Sequence, residues 1–140
     1  MPTAVELMKR HLDTLARDQV AWQSLIADNL IWELPYAPSI GHPRKLAGRE
    51  QIVSFVSKFL QATEEFRFHE VDIAAMANET KAVAEVQATA RILSTGRDYH
   101  QSYVIFLEAR DGKIVHLREY FNPATAALAL GLPILEFAAP

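Results

Sequence analysis

The chain has 140 residues, half of them apolar, with 17 acidic residues, 14 basic residues and no cysteine. This length predicts one domain, over residues 1–140, with enough apolar content for a core of its own. The lack of cysteine excludes a thiolate nucleophile and a disulfide framework, and the net charge of −3 argues against nucleic-acid binding. The first residues lack a basic segment followed by an apolar run, so we expect no signal peptide and a soluble, cytoplasmic protein.

The N-terminal half of the chain is predicted to be mainly helical. Residues 2–28 carry apolar side chains at spacings of three and four, which is typical of an amphipathic helix. Thr3 and Glu6 have the spacing of a capping box, and residues 18–27 predict a second, short helix. The other elements predicted in this half are a strand over residues 29–36, a loop over residues 37–46 and a third helix that begins at Gly48.

The C-terminal half changes to the period of a sheet. Asp111 and Gly112 form a pair that strongly favours a hairpin turn. Helices followed by a run of long strands predict an α+β fold whose curved sheet wraps around the three N-terminal helices. The predicted elements are strands over residues 66–76, 81–93, 99–109 and 113–121 and a short helix over residues 124–130.

Alternation along the strands predicts which side chains face the core. In the strand over residues 81–93, alternate positions are small and apolar, which leaves room for helix side chains or for a ligand. In the last strand Glu119 shares a face with Leu117 and Phe121. If that face is buried, the pKa of the Glu119 carboxyl rises and the group can exchange protons near neutral pH. The alternative is a structural Glu119 at the strand end, paired with a base or with backbone.

Four segments carry a resemblance to a known group of proteins. They are GREQI at residues 48–52, GKIVHL at 112–117, EYFNP at 119–123 and ALGLP at 129–133. With the order of elements, they resemble the nuclear-transport-factor-2-like superfamily, whose cystatin-like cone is an α+β fold. Its members include ketosteroid isomerase, SnoaL-type polyketide cyclases, limonene epoxide hydrolase and phenazine-biosynthesis A/B-type proteins, and the last are the most similar at the C-terminus.

The resemblance also suggests roles for individual residues. Ketosteroid isomerases have a catalytic aspartate where this chain has Leu34, an oxyanion-hole aspartate at Val104, and a helix-one tyrosine at Arg10 or His11. Steroid isomerisation by that mechanism is therefore not expected. In the phenazine-type proteins a glutamate at the position of Glu119 is a working residue, assisted by a histidine.

These arguments define a predicted site. Glu119 is the predicted proton-transfer residue. His100 is its predicted partner, because it shares a strand face with Val104, for which the resemblance implies a cavity position, and His69 is the alternative. No metal is expected, because the five histidines lack metal-ligand spacing, and no cofactor is expected. The residues predicted to contact a ligand are His11, Trp22, Leu34, Tyr36, Val104, Leu117 and Phe121.

The predicted function is cofactor-free acid/base catalysis on a small cyclic or aromatic ketone in an apolar pocket between sheet and helices. Isomerase, cyclase and dehydratase reactions all fit this chemistry. The alternatives are a non-catalytic protein that binds a small ligand and a dimeric interaction module. The resemblance implies a homodimer formed through the outer face of the sheet, with no nucleic acid or membrane as partner.

Overall fold

The first helix begins where the sequence predicts it. The structure, a computed structural model, describes residues 1–134, and Thr3 and Glu6 form the predicted capping box through reciprocal side-chain to backbone bonds. The helices are α1 (Ala4–Thr14), α2 (Gln19–Leu25), α3 (Arg49–Gln61) and α4 (Pro123–Leu130), with a 3-10 turn at Ala37–Ile40. The strands are β1 (Ile26–Glu33), β2 (Lys45–Ala47), β3 (Thr63–Ala75), β4 (Lys81–Ile92), β5 (Asp98–Arg110) and β6 (Lys113–Phe121).

All six strands form one mixed sheet in the order β2-β1-β6-β5-β4-β3, in which β1 and β6 run parallel and the other pairs antiparallel. The register of β3 shifts twice against β4, and Glu65 and Glu70 have positive φ at these shifts. Such bulges bend a strand and increase its twist. The sheet therefore curls, and the predicted α+β fold with a curved mixed sheet around N-terminal helices is confirmed.

Helix α1 packs across the concave face of the sheet, which we call the inner face. Leu7 and Met8 of α1 are fully buried in the same apolar cluster as Ala82 and Ala84 of β4. Small side chains on β4 let the helix approach the sheet closely. The alanine face that the sequence left open to a helix or a ligand is, at these positions, occupied by a helix.

Two features of the N-terminal half differ from the sequence prediction. The first strand begins at Ile26, three residues earlier than predicted, and the predicted loop contains the short strand β2 paired with β1. Strand β2 has three residues, too few for a periodic pattern, and its pairing depends on the distant β1. No helix among residues 1–134 is long and apolar enough to cross a membrane; the cytoplasmic location stays a prediction.

The guanidinium group of Arg49 holds the start of α3 against the junction of α2 and β1. It donates to the carbonyl oxygens of Gln23 and Ile26 at 2.8 and 2.6 Å and to Oδ1 of Asp28 at 3.0 Å. The Asp28 side chain is almost fully exposed, so the ion pair itself adds little. The hydrogen bonds to the two backbone carbonyls, which lie at the end of α2, require the planar, forked guanidinium group of arginine.

We expect Arg49→Lys to lower the free energy of unfolding by about 1–2 kcal/mol, because one ammonium group cannot reach all three acceptors. Urea unfolding followed by circular dichroism measures this change. Arg44→Lys, at an exposed position of the loop before β2, is the control and should leave stability within about 0.5 kcal/mol. Equal effects of the two substitutions would contradict the role assigned to Arg49.

Candidate functional site

Glu119 lies on the inner face of the sheet. In the ladder between β5 and β6 it stands opposite Ile105, which is fully buried, while Leu117 stands opposite Leu107 and Phe121 opposite Tyr103. Directly paired residues point to the same side of a sheet. The strand alternation therefore places the Glu119 carboxyl toward the helices, among apolar side chains.

The environment of Glu119 disfavours its charged form. Desolvation of the half-buried side chain raises the pKa of the Glu119 carboxyl from 4.5 to about 8. At pH 7 about one molecule in ten therefore carries the ionised carboxylate. Both protonation states are populated near neutral pH, which is the condition for a group that both takes and returns a proton.

A network of polar side chains lies beside Glu119 on β5. The hydroxyl groups of Tyr99 and Tyr103 are 3.1 Å apart, and Nε2 of Gln101 donates to the Tyr99 hydroxyl at 3.2 Å. The Gln101 amide also donates to the carbonyl of Asn122 and accepts from the Asn122 backbone N–H. Burial and the nearby Glu119 charge both raise the pKa of Tyr103, so both tyrosines stay protonated at neutral pH.

Aromatic rings continue this surface from β5 to β3 and α3. Phe68 packs edge-on against Tyr103 with ring centroids 6.0 Å apart, and Phe66 packs against Phe68 at 5.1 Å. Phe59 of α3 contacts both Phe66 and Tyr99. We call these five rings, Phe59, Phe66, Phe68, Tyr99 and Tyr103, the aromatic wall. Its three phenylalanines are partly exposed, so the wall is suited to a flat, apolar ligand.

His11 closes the site from the helix side. It is fully buried, and its Nδ1 accepts a hydrogen bond from Nε1 of Trp22 at 2.9 Å. Burial lowers the pKa of the His11 imidazole from 6.5 to about 4, so this ring is neutral at physiological pH. Trp32 of β1 lies edge-on to His11 with ring centroids 5.9 Å apart.

Three sequence predictions about the site are wrong in orientation. His100 pairs with Thr89, and Val104 pairs with Glu85 and Tyr120; these ladders belong to the opposite, outer face of the sheet. His100 is exposed there and cannot reach Glu119 through the sheet. Tyr36 is 51% exposed and packs against Tyr120, so it too lies outside the inner face.

The other predicted ligand contacts lie on the inner side. Trp22, Leu34 and Leu117 belong to the main apolar core and are at most 4% exposed, whereas Phe121 is partly exposed. Their roles in ligand binding, like that of His11, stay predictions.

Sequence reasoning missed the polar and aromatic parts of the site on β5, β3 and α3. The sequence patterns gave Gln101, Tyr99 and Tyr103 no place on the inner face. Both faces of β5 carry apolar residues, so alternation alone was ambiguous. The pattern Tyr99, Gln101, Tyr103, Ile105, Leu107 was the available signal, because Ile105 and Leu107 match the apolar faces of the neighbouring strands.

The outer face carries two shallow clefts and no predicted catalytic pair. A cleft of about 380 Å³ is bordered by the carboxyl groups of Glu70, Asp72 and Glu85, and one of about 190 Å³ by His116 and Arg118. On the same face, Oε1 of Glu33 lies 3.5 Å from Nε2 of His116. Among residues 1–134, no three side chains of His, Asp or Glu are placed to hold a metal ion.

The fold and this site define a class of protein: a curled mixed sheet packed on N-terminal helices, with a carboxyl group and aromatic rings on its inner face. Residues 8–117 match the family model described as a SnoaL-like domain. The chain therefore belongs to the SnoaL-like family. The resemblance seen in the sequence is confirmed, although the matched segment ends two residues before Glu119.

Individual relatives agree with this family. The uncharacterized protein YesE of Bacillus subtilis is 31% identical over 122 residues, covering 87% of this chain and 82% of its own. The uncharacterized PhzA/B-like protein PA3332 of Pseudomonas aeruginosa is 30% identical, covering 81% and 79%. A Bacillus subtilis crystal structure named "Putative Isomerase" superposes with a TM-score of 0.82 at 30% identity, covering 95% and 96%.

A more distant structure supports the fold alone. The phenazine biosynthesis-related protein PhzB2 of Pseudomonas aeruginosa has a TM-score of 0.80 at 18% identity, covering 96% of this chain and 85% of its own.

The two buried titratable groups give opposite pH dependences of stability. Folded Glu119 keeps its proton to about pH 8, whereas the unfolded chain loses it near 4.5, so this group makes stability fall as pH rises between these values. His11 stays neutral in the folded protein down to about pH 4 and takes a proton below 6.5 when unfolded, so stability rises from pH 4 to 6.5.

We therefore expect the two contributions to offset each other between pH 4.5 and 6.5, and the free energy of unfolding to fall between pH 6.5 and 8. Glu119→Gln should abolish the fall above pH 6.5 and reveal the rise between pH 4 and 6.5 that His11 gives when no Glu119 contribution offsets it. Urea unfolding at half-unit pH steps measures both curves. Glu64→Gln, which removes an exposed carboxyl of β3, should behave as wild type. A fall that persists in Glu119→Gln would contradict the burial of this carboxyl.

Proposed function

We propose that this protein binds a small cyclic or aromatic ketone against the inner face of its sheet and transfers a proton with the carboxyl group of Glu119. The observation that carries the proposal is a half-buried carboxyl group on the inner face of β6, opposite the fully buried Ile105 and beside the aromatic wall. A carboxyl in such a place is costly for stability, which favours a chemical role over a structural one.

The reaction follows from the two protonation states. Ionised Glu119 removes a proton from the carbon next to the ketone, the C–H electron pair moves toward the carbonyl, and an enolate forms while Glu119 becomes protonated. Protonated Glu119 then returns a proton to carbon. Return at a conjugated position gives isomerisation, and return at the same position gives hydrogen exchange if the carboxyl proton has first exchanged with solvent. Addition of the enolate carbon to a second carbonyl of the ligand would give a ring. None of these steps needs an oxidant or reductant.

The family supports this class of reaction. Among structures of the same fold, one of Pseudomonas putida is named "putative polyketide cyclase", with a TM-score of 0.79 at 20% identity, and the Bacillus subtilis structure is named "Putative Isomerase". Cyclisation and isomerisation are both reactions that an enolate can undergo. These names belong to those proteins and support the proposal for this chain only as precedents.

Exchange of ketone hydrogens for deuterium tests the proton transfer without the natural substrate. In D2O, the protein should accelerate exchange next to the carbonyl of at least one member of a panel of cyclic and aryl ketones, followed by proton NMR. The rate should rise with pH toward about 8 as Glu119 ionises. Glu119→Gln should slow the protein-dependent exchange at least about 100-fold.

Glu64→Gln is again the matched control and should exchange at the wild-type rate. Unchanged exchange in Glu119→Gln would refute the role of Glu119. Binding of ketones without any exchange would favour the alternative function, in which protonated Glu119 only donates a hydrogen bond and orients a carried ligand.

We also propose that two copies associate through the outer face of the sheet. The face has an acidic side on β3 and β4, with Glu70, Asp72 and Glu85, and a basic side on β6 with Arg118. The Arg118 guanidinium stacks over the ring of Phe106, 5.0 Å from its centroid. A two-fold axis between the two sides would place the acidic side of one copy on the basic side of the other.

Light scattering after size-exclusion chromatography tests this association. The wild type should have twice the 15.7 kDa mass of the chain, and Glu85→Lys should shift it toward the monomer because like charges would then face each other. A monomeric wild type at micromolar concentration would refute the proposed dimer.

A further inference from the structure

Two N–H groups in the site have no acceptor among residues 1–134. They are Nε2 of His11 and Nε1 of Trp32. His11 is 0% exposed and Trp32 is 4% exposed, so bulk water does not serve as the acceptor. An unpaired buried donor costs about 1–3 kcal/mol, and native proteins tolerate few of them. Two such donors on neighbouring rings therefore point to a bound acceptor.

The hydrogen bond from Trp22 fixes which nitrogen of His11 carries the proton. Because the indole N–H of Trp22 donates to Nδ1 at 2.9 Å, Nδ1 contributes its lone pair. A neutral imidazole then has its single proton on Nε2. Both unpartnered atoms are thus donors, and they cannot satisfy each other.

The two donors lie on the side of Glu119 opposite the tyrosines. Trp32 pairs with Leu117 in the parallel ladder of β1 and β6. Leu117 lies two residues before Glu119 and on the same face of the sheet. The hydroxyls of Tyr99 and Tyr103 lie on the other side of β6, on β5, and already bond to each other. The free N–H donors thus belong to β1 and α1, and β6 with Glu119 lies between β1 and the tyrosines of β5.

We propose that the N–H groups of His11 and Trp32 form a binding site for a ligand oxygen, specifically the carbonyl oxygen of a ketone and the enolate oxygen that replaces it. Two donors in a dry site stabilise an oxygen more strongly as its negative charge grows. A neutral imidazole suits this task, because it donates without transferring its own proton. The ligand class is thus a ring-bearing ketone, enol or phenol with one oxygen that accepts two hydrogen bonds.

The role in catalysis rests on the proposed function, but binding of the oxygen does not. The tests therefore use naphthols, which do not react and whose absorbance distinguishes the neutral from the ionised form. Wild-type protein should bind a naphthol and favour its ionised form, which lowers the apparent pKa of the naphthol. Glu119→Gln should retain this preference even if it abolishes ketone exchange.

Trp32→Phe removes one donor and keeps an aromatic ring. It should weaken binding of the ionised naphthol about tenfold, the effect of losing one hydrogen bond to a charged oxygen. Tyr120→Phe, which removes a hydroxyl on the outer face of the sheet, is the matched control and should bind the ionised form as wild type does. Weakened binding in Tyr103→Phe with unchanged binding in Trp32→Phe would place the oxygen at the tyrosines and overturn the proposal, as would failure of wild type to bind any naphthol at millimolar concentration.

Nitrogen-15 NMR of the wild type keeps the proposal testable if Trp32→Phe does not fold. The chain has two tryptophans, so its spectrum contains two indole N–H signals. Ionised naphthol should move the Trp32 indole proton and the His11 Nε2 proton downfield and leave the Trp22 indole signal nearly unchanged. Unmoved signals for Trp32 and His11 in the presence of a bound naphthol would show that the oxygen lies elsewhere.

Discussion

The packing of α1 on the alanine face of β4 is the constraint on which the rest of the structure depends. Alanine side chains at Ala82 and Ala84 let the helix lie directly on the sheet, with Leu7 and Met8 fully buried between them. The same helix carries His11 toward β1 and covers one side of the inner face. The curl that makes this possible comes from the bulges in β3, where Glu65 and Glu70 adopt positive φ.

Once the helix is in place, the inner face can hold polar groups only in a few defined ways. Gln101 is satisfied by Tyr99 and by both backbone groups of Asn122, and Nδ1 of His11 by Trp22. Glu119 keeps its proton at neutral pH, because desolvation raises the free energy of the charged carboxylate. Polar groups that are fully hydrogen-bonded within the protein thus differ from the Glu119 carboxyl, which is left for a ligand under the proposed function.

The sequence predicted the correct face for Glu119 of β6 but the wrong face for His100 and Val104 of β5. The face of Glu119 followed from alternation in β6, where Leu117, Glu119 and Phe121 occupy alternate positions. In β5 the choice failed, because Val104 and Phe106 make the outer face apolar as well. Because Val104 matches a functional position in ketosteroid isomerases, His100, which shares its strand face, was predicted to lie on the inner face. Pairing of Ile105 with Glu119 and with Ala84, which is a tertiary fact, settles the orientation.

By itself the sequence determined the order of helices and strands, the hairpin at Asp111 and Gly112, the capping box at Thr3 and the family, because these depend on local geometry and on short segments. The tertiary structure alone decided which histidine meets the inner face, that Arg49 binds the end of α2, and that Glu119 shares its surroundings with Trp32 and Tyr103. These contacts join residues far apart in the chain, and their energies depend on burial, which no local pattern specifies.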